Sequence, residues 1–229
     1  MDAQAYRHEL KYEIAYGEYI ALYQRLRTVM QPDPHCGADG RYRITSLYFD
    51  NCRDKALWEK WMGVRNRDKY RIRYYNDDPS FIQLEKKSKR GALCMKKSCV
   101  LTQDEVRRIQ SGAIDGLGSV LERPLLAEFI GAWTHDGLRP KTVVSYTRAP
   151  LVYAPGNVRV TFDTDIRTAL GHAALFDGAA EVPVTNRGRV ILEVKFDAFL
   201  PEVIRQLLQS GSPRIGSFSK YAAGRSFES

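Results

Sequence analysis

Lys69-Tyr70-Arg71-Ile72-Arg73-Tyr74-Tyr75 and, after Asn76-Asp77-Asp78-Pro79, Phe81-Ile82-Gln83-Leu84-Glu85-Lys86-Lys87 alternate charged and apolar side chains with a period of two. On a strand that period sends successive side chains to opposite faces, so Lys69, Arg71 and Arg73 share one face and Tyr70, Ile72 and Tyr74 the other. In the second segment Ile82 and Leu84 oppose Gln83, Glu85 and Lys87. The Asn-Asp-Asp-Pro between them is a turn signal, which makes the two strands hairpin neighbours. An ordinary sheet with one wet face would also show this pattern.

The pattern recurs along the chain. Arg7-His8-Glu9-Leu10-Lys11-Tyr12 sets Arg7, Glu9 and Lys11 against His8, Leu10 and Tyr12. Tyr42–Asp50 and Leu93–Leu101 read as strands, and so do Lys141–Tyr153, Val158–Thr164 and Val190–Phe196. In the last three, Tyr146 shares a face with Arg148, Arg159 with Thr161 and Asp163, and Glu193 with Ile191 and Lys195. Helices are expected from about Gly17 to Met30, from Asn51 to Met62, from a Thr102 cap to Ser111, from Val120 to Trp133 and from Pro201 to Gln209. Trp58, Trp61 and Trp133 are expected to pack those helices on the strands.

About eight strands, each with one charged and one apolar face, and amphipathic helices in the connections imply an α+β fold. If the helices cover the apolar faces, the charged faces line an interior, and an antiparallel β-barrel tunnel with a basic lumen and helices outside is the natural closure. Buried charge must be compensated, because an unpaired buried ion costs several kcal/mol, and a polyanion held in the tunnel would do this.

Composition agrees. The chain has 229 residues, 44% hydrophobic, which excludes disorder or a coiled coil as its main state, and residues 1–229 are expected to form one domain. The net charge of +8 is concentrated: nine bases and three acids lie between Lys69 and Lys97. No apolar run approaches the ~20 residues of a membrane span, and no signal peptide is expected. Cys36, Cys52, Cys94 and Cys99 lack zinc-site spacing and read as thiols of a reducing compartment, so a cytoplasmic location is expected. No nucleic-acid recognition motif is present, and nucleic acid is not an expected partner.

Glu9-Leu10-Lys11-Tyr12, Ser46-Leu47-Tyr48-Phe49-Asp50, Tyr70-Arg71-Ile72-Arg73, Leu84-Glu85-Lys86-Lys87, Ser145-Tyr146-Thr147-Arg148, Leu192-Glu193-Val194-Lys195-Phe196 and Phe218-Ser219-Lys220-Tyr221 resemble, in order, the motifs of the VTC domain. That is the polyphosphate polymerase branch of the CYTH or triphosphate tunnel metalloenzyme superfamily, and the chain is similar to its compact stand-alone bacterial type. The resemblance implies transfer of the γ-phosphate of ATP to a growing polyphosphate chain, assisted by manganese or magnesium. It implies Lys11, Arg71, Arg73, Lys87, Arg148 and Lys220 as catalytic phosphate-binding bases, with Glu193 as metal ligand. Lys96 or Lys97 supplies a further base, and the alternation does not choose between them. Tyr146, Ser219, Glu9, Glu85 and Lys195 are expected along the substrate path, and inositol phosphates are candidate regulators. A tunnel triphosphatase and a non-catalytic polyphosphate or inositol-phosphate binding module are the alternatives. Tunnel hydrolases resemble one another in an ExExK-type start, and here residue 7 is Arg7.

Overall fold

The computed structural model describes residues 6–118, 122–170, 175–176, 180–185, 188–209, 214–215 and 218–226. In chain order the elements are β1 (Arg7–Ala15), α1 (Tyr16–Leu26), β2 (Gln31–Pro32), β3 (Tyr42–Asp50), α2 (Lys55–Trp61), β4 (Asn66–Tyr75), β5 (Asp78–Arg90), β6 (Leu93–Leu101), α3 (Gln103–Ser111), α4 (Pro124–His135) and β7 (Arg139–Tyr153). They continue with β8 (Val158–Ala169), β9 (Glu181–Pro183), β10 (Arg189–Phe196), α5 (Glu202–Leu208), β11 (Arg214–Ile215) and α6 (Lys220–Arg225).

Eight strands close on themselves in the order β7-β3-β4-β5-β6-β1-β10-β8, with β8 returning to β7, and every pairing is antiparallel. Short β2, β9 and β11 extend β7, β8 and β1. The hairpin expected around residue 77 is present. Its turn is confined to Asn76 and Asp77, both at positive φ (53° and 55°), while Asp78 already pairs with Tyr75. Two consecutive left-handed residues match the twist of the flanking strands, and Asn and Asp tolerate that conformation best after glycine.

The outward strand faces are covered as expected. Leu47, Phe49, Tyr70, Ile72, Tyr74, Ile82 and Leu84 pack beneath Val106 and Ile109 of α3 and Leu126, Phe129 and Trp133 of α4. Tyr19, Leu22 and Leu26 of α1 and Ile204 of α5 cover Val160, Phe162, Leu192 and Val194. Helix α3 starts where its cap predicts: Thr102 Oγ1 accepts from the Glu105 amide at 3.2 Å, and Glu105 Oε2 accepts from the Thr102 amide at 2.9 Å. Helix α4 begins at Pro124, whose fixed φ suits a first helical position. Val120, where the sequence places its start, lies outside the described residues.

Two expectations are corrected. Trp133 is buried, but Trp58 and Trp61 do not pack on the barrel: the buried positions of the seven-residue α2 are Ala56 and Leu57, and both tryptophans face outward. The lumen is also not uniformly charged. Tyr42, Ile44, Tyr48, Val144, Tyr146 and Ile191 form a buried cluster with Tyr221 of α6, so the C-terminal helix fills part of the ring. Tyr221 donates its hydroxyl to Asp50 Oδ2 at 2.7 Å, and Asp50 also accepts from the Ala56 and Leu57 amides, tying α6 and α2 to the end of β3.

Helix α6 sits against β7 and β8 through Gly224, where an added Cβ would meet Val144 Cγ2 at 3.0 Å and Thr168 Oγ1 at 3.1 Å. Gly224→Val is expected to lift α6 from the wall and cost about 1–3 kcal/mol of stability, read as a lower urea midpoint. An unchanged midpoint would show that α6 is not seated there.

Candidate active site in the tunnel lumen

The strand registers carry one set of side chains around the ring. Lys11 lies opposite Glu193 and Glu9 opposite Lys195. Glu193 faces Thr161, and Ile191 faces Asp163. Arg148 lies between Asp163 and Tyr42. Ser46 is opposite Arg73 and Tyr48 opposite Arg71. Arg71 is opposite Glu85, Lys69 opposite Lys87, and Lys87 opposite Lys96. The fold thus brings Lys11, Arg71, Arg73, Lys87, Lys96, Tyr146, Arg148, Lys195, Glu9, Glu85 and Glu193 to one interior, and Ser219 and Lys220 join them from the start of α6. The register also separates the two lysines that the alternation left open. Lys96 faces the lumen, whereas Lys97 pairs with Lys86 on the outer face and reaches Glu128 of α4 at 3.7 Å.

Four carboxylates organise the cations. Glu85 accepts from Arg71 Nε at 2.6 Å and Lys96 Nζ at 2.9 Å, with Arg73 Nη1 at 3.7 Å. Asp163 takes the fork of Arg148 at 2.7 and 2.8 Å and the Lys220 ammonium at 2.5 Å. Glu9 holds Lys87 at 2.5 Å and Lys11 at 3.2 Å, and Glu193 holds Lys195 at 2.7 Å and Lys11 at 3.0 Å. Burial alone would raise these carboxyl pKa values, but the surrounding cations outweigh it. Glu9 and Asp163 are held at about 2, and Glu85 and Glu193 well below the carboxylate range. The compensation expected from a bound polyanion is therefore partly built in. The acids needed for it were visible on the right strand faces, but their partners are distant in sequence: Asp163 and Lys220 are 57 residues apart, Glu9 and Lys87 are 78.

Neutral groups fix the guanidinium planes. Arg73 donates through Nε to Ser46 Oγ at 3.2 Å and through Nη2 to Tyr146 Oη at 2.9 Å, and Arg71 Nη1 donates to Tyr48 Oη at 3.3 Å. Lys220 lies 4.5 Å above the Tyr146 ring. Asp163, Ser46 and Tyr48 were not identified as site residues from sequence.

The alternation sets Lys69 on the cationic face beside Arg71 and Arg73. Its Nζ donates to Ser219 Oγ at 3.3 Å and sits 5.1 Å over the Tyr221 ring, and among the described residues no carboxylate comes within ion-pair distance of it. Burial, reinforced by Arg67, Lys11 and Lys60 and opposed by Asp50, lowers its pKa to about 7. A missing counter-charge depends on what the fold puts nearby, so no local sequence signal marks it.

Glu193 and Glu9 are close enough for Lys11 to touch both. A hard divalent cation takes one or two carboxylates and completes its shell with phosphate oxygens and water, so this pair suits such an ion when phosphate supplies the other ligands. Among the described residues, no group of three or more His, Cys, Asp or Glu side chains makes a protein-only metal site.

A family model described as VTC domain matches residues 6–228. No curated protein matches the chain. Among solved structures, a Hippeastrum protein provisionally assigned as an adenylyl cyclase and described as having a dominant triphosphatase activity superposes with a TM-score of 0.53 at 15% identity, covering 96% of each chain. A Bacillus halodurans protein provisionally named an adenylate cyclase gives 0.49 at 14% identity over 82% of this chain and 79% of its own. At these identities the Hippeastrum likeness establishes the shared tunnel fold.

Lys69 gives a signed pH prediction. Its folded-state pKa lies below the unfolded value, so unfolding takes up a proton between about pH 7 and 10.5, and stability rises with pH across that window. Lys69→Met is expected to raise the melting temperature of the ligand-free protein most below pH 7 and least near pH 10. A difference that does not vary with pH would show that Lys69 is not held away from its charged form.

Proposed function

The chain belongs to the VTC domain family, and from that premise we propose that its lumen transfers the γ-phosphate of ATP to a growing polyphosphate chain and releases ADP. The observation that carries this reading is the charge surplus of the lumen. Lys11, Lys69, Arg71, Arg73, Lys87, Lys96, Arg148, Lys195 and Lys220 converge there, and among the described residues fewer carboxylates, Glu9, Asp50, Glu85, Asp163 and Glu193, stand against them. A linear polyanion is the ligand that such a surplus suits.

Phosphoryl transfer asks a protein mainly to position the phosphates and neutralise charge on their oxygens. Arg71, Arg73 and Arg148 offer planar donors that engage phosphate oxygens in pairs, and the lysines act as point charges along the chain. The attacking terminal phosphate oxygen is already anionic, so synthesis needs no general base. Manganese or magnesium, held by Glu193 with Glu9, would supply further neutralisation of the ATP phosphates. Arg7, bound to Asp197 at 2.7 Å, leaves the start of β1 poorer in acids than the ExExK-type start of tunnel hydrolases.

Hydrolysis of a triphosphate is the second reading, because the same lumen cations would neutralise the phosphate oxygens if water were the acceptor. The activity in the name of the Hippeastrum protein belongs to the same fold. Inositol phosphates, as compact polyanions, would compete for the same cations.

Incubation with γ-labelled ATP and manganese decides between the readings. Labelled ladders of polyphosphate are expected, and labelled inorganic phosphate alone would overturn synthesis in favour of hydrolysis. Glu193→Gln is expected to lower turnover by at least about a hundredfold, because removing metal neutralisation from a phosphoryl transfer costs several kcal/mol. Lys96→Ala should weaken tripolyphosphate binding about tenfold, the scale of one lost charge-assisted hydrogen bond, while Lys97→Ala changes it by less than about twofold. Equal effects in calorimetry would contradict the assignment of Lys96 to the lumen.

A further inference from the structure

The lumen makes no use of the apolar side chains at the end of α2. Trp58, Trp61, Met62 and Val64 are 50%, 56%, 70% and 38% exposed, although they lie within seven residues of one another. The two indoles meet edge to face, 5.5 Å apart at 83°. The other helical tryptophan, Trp133, is buried under the guanidinium of Arg139. A cluster of this size on the surface marks an interaction site.

The surroundings specify the chemistry of the partner. Arg53 and Lys55 precede the cluster, Lys60 lies within it, and Arg65 and Arg67 follow. The carboxylates of the same segment are already engaged: Asp54 with Lys141 and Arg225, and Glu59 with Lys55. Lys60 also feels the charges of Lys11 and Lys89, so the positive field of the patch runs into that of the lumen. Apolar rings are thus mixed at short spacing with cations on long flexible stems, with no free acid among them.

We propose that this patch docks the protein on an anionic lipid surface. Trp58, Trp61 and Met62 would sit at headgroup depth while the exposed Arg53, Lys55 and Arg65 meet the anionic headgroups, the division of labour seen in interfacial segments. A nucleobase fits less well, because edge-to-face indoles offer no parallel slot for a flat ring. A uniform anionic surface accepts mobile cations without a matching pattern of acids, which a protein partner would need to present.

The test is flotation of the full chain with phosphatidylserine–phosphatidylcholine vesicles and with phosphatidylcholine vesicles, in saturating tripolyphosphate so that the lumen is occupied. The protein is expected to float with the anionic vesicles only, with a blue shift of tryptophan emission. The double variant Trp58→Ala, Trp61→Ala is expected to bind about tenfold more weakly, since interfacial affinity scales with buried apolar area. Its melting temperature should fall by no more than a few degrees, because each indole already leaves half of its surface in water. Failure to float overturns the proposal. So does flotation equal to the parent in the double variant, which would mean that net charge alone suffices. A blue shift that follows protein concentration without lipid, and disappears in the double variant, would overturn it in favour of a second copy of this chain.

Discussion

The structure depends on how many cations a closed ring can hold away from water. An uncompensated buried ion costs several kcal/mol, a large share of the stability of a domain this size. Lysines and arginines point into the barrel from around the ring, and the ring stands because carboxylates are interleaved with them, each holding two or more cations. Glu85 is completely buried and serves three cations at once. Losing it would strand Arg71 and Arg73 together, and each already penalises the other. The outer helices follow from the same constraint. With much of one strand face committed to charge, most of the apolar burial comes from the other face, so both outer clusters need a helical cover.

This constraint also explains what could be read from the sequence. A strand with one charged and one apolar face has an unmistakable period, so β3 and β6 run between the residues that the alternation indicates, and the lumen set on β4, β5, β7, β8 and β10 falls on the expected faces. Strand ends were less legible. β4 begins at Asn66 because its ladder with β5 continues to Arg90, and β8 runs on to Ala169 because β9 pairs there. Those extensions are decided by partners, not by the residues themselves. Lys96 and Lys97 could not be told apart for a related reason: two adjacent lysines satisfy either phase of the alternation, and the tie is broken by the register with β5, which sets Lys96 beside Lys87 and Lys97 beside Lys86.

The C-terminal helix was hidden for a different reason. Phe218-Ser219-Lys220-Tyr221 is legible as a motif but carries no helical period, since α6 is only six residues long. Its structure comes from its neighbours. Ser219 caps it by accepting from the Ala222 amide, Tyr221 reaches the carboxylate that also caps α2, and Arg225 reaches Asp54. Short elements of this kind are specified by tertiary contacts, and the same holds for α2, where seven residues did not show which of its side chains would be covered.

The arrangement of carboxylates sets terms for any polyanion that enters. The cations are positioned beforehand, so a phosphate chain meets donors whose planes and heights are already fixed, but it must compete with Glu9, Glu85, Asp163 and Glu193 for them. Where the carboxylate is saturated by a bidentate fork, as at Arg148 and Asp163, the ion pair can persist and present its outer edge. Where it is held by lysines, as at Glu9 and Glu193, movement of Lys11 or Lys195 towards phosphate leaves two carboxylates facing each other in a buried site. That pair repels, and a divalent cation relieves the repulsion while sharing the phosphate oxygens. Polyanion and metal would therefore bind more tightly together than apart, and Lys11, which touches both carboxylates, is the side chain through which the two are coupled.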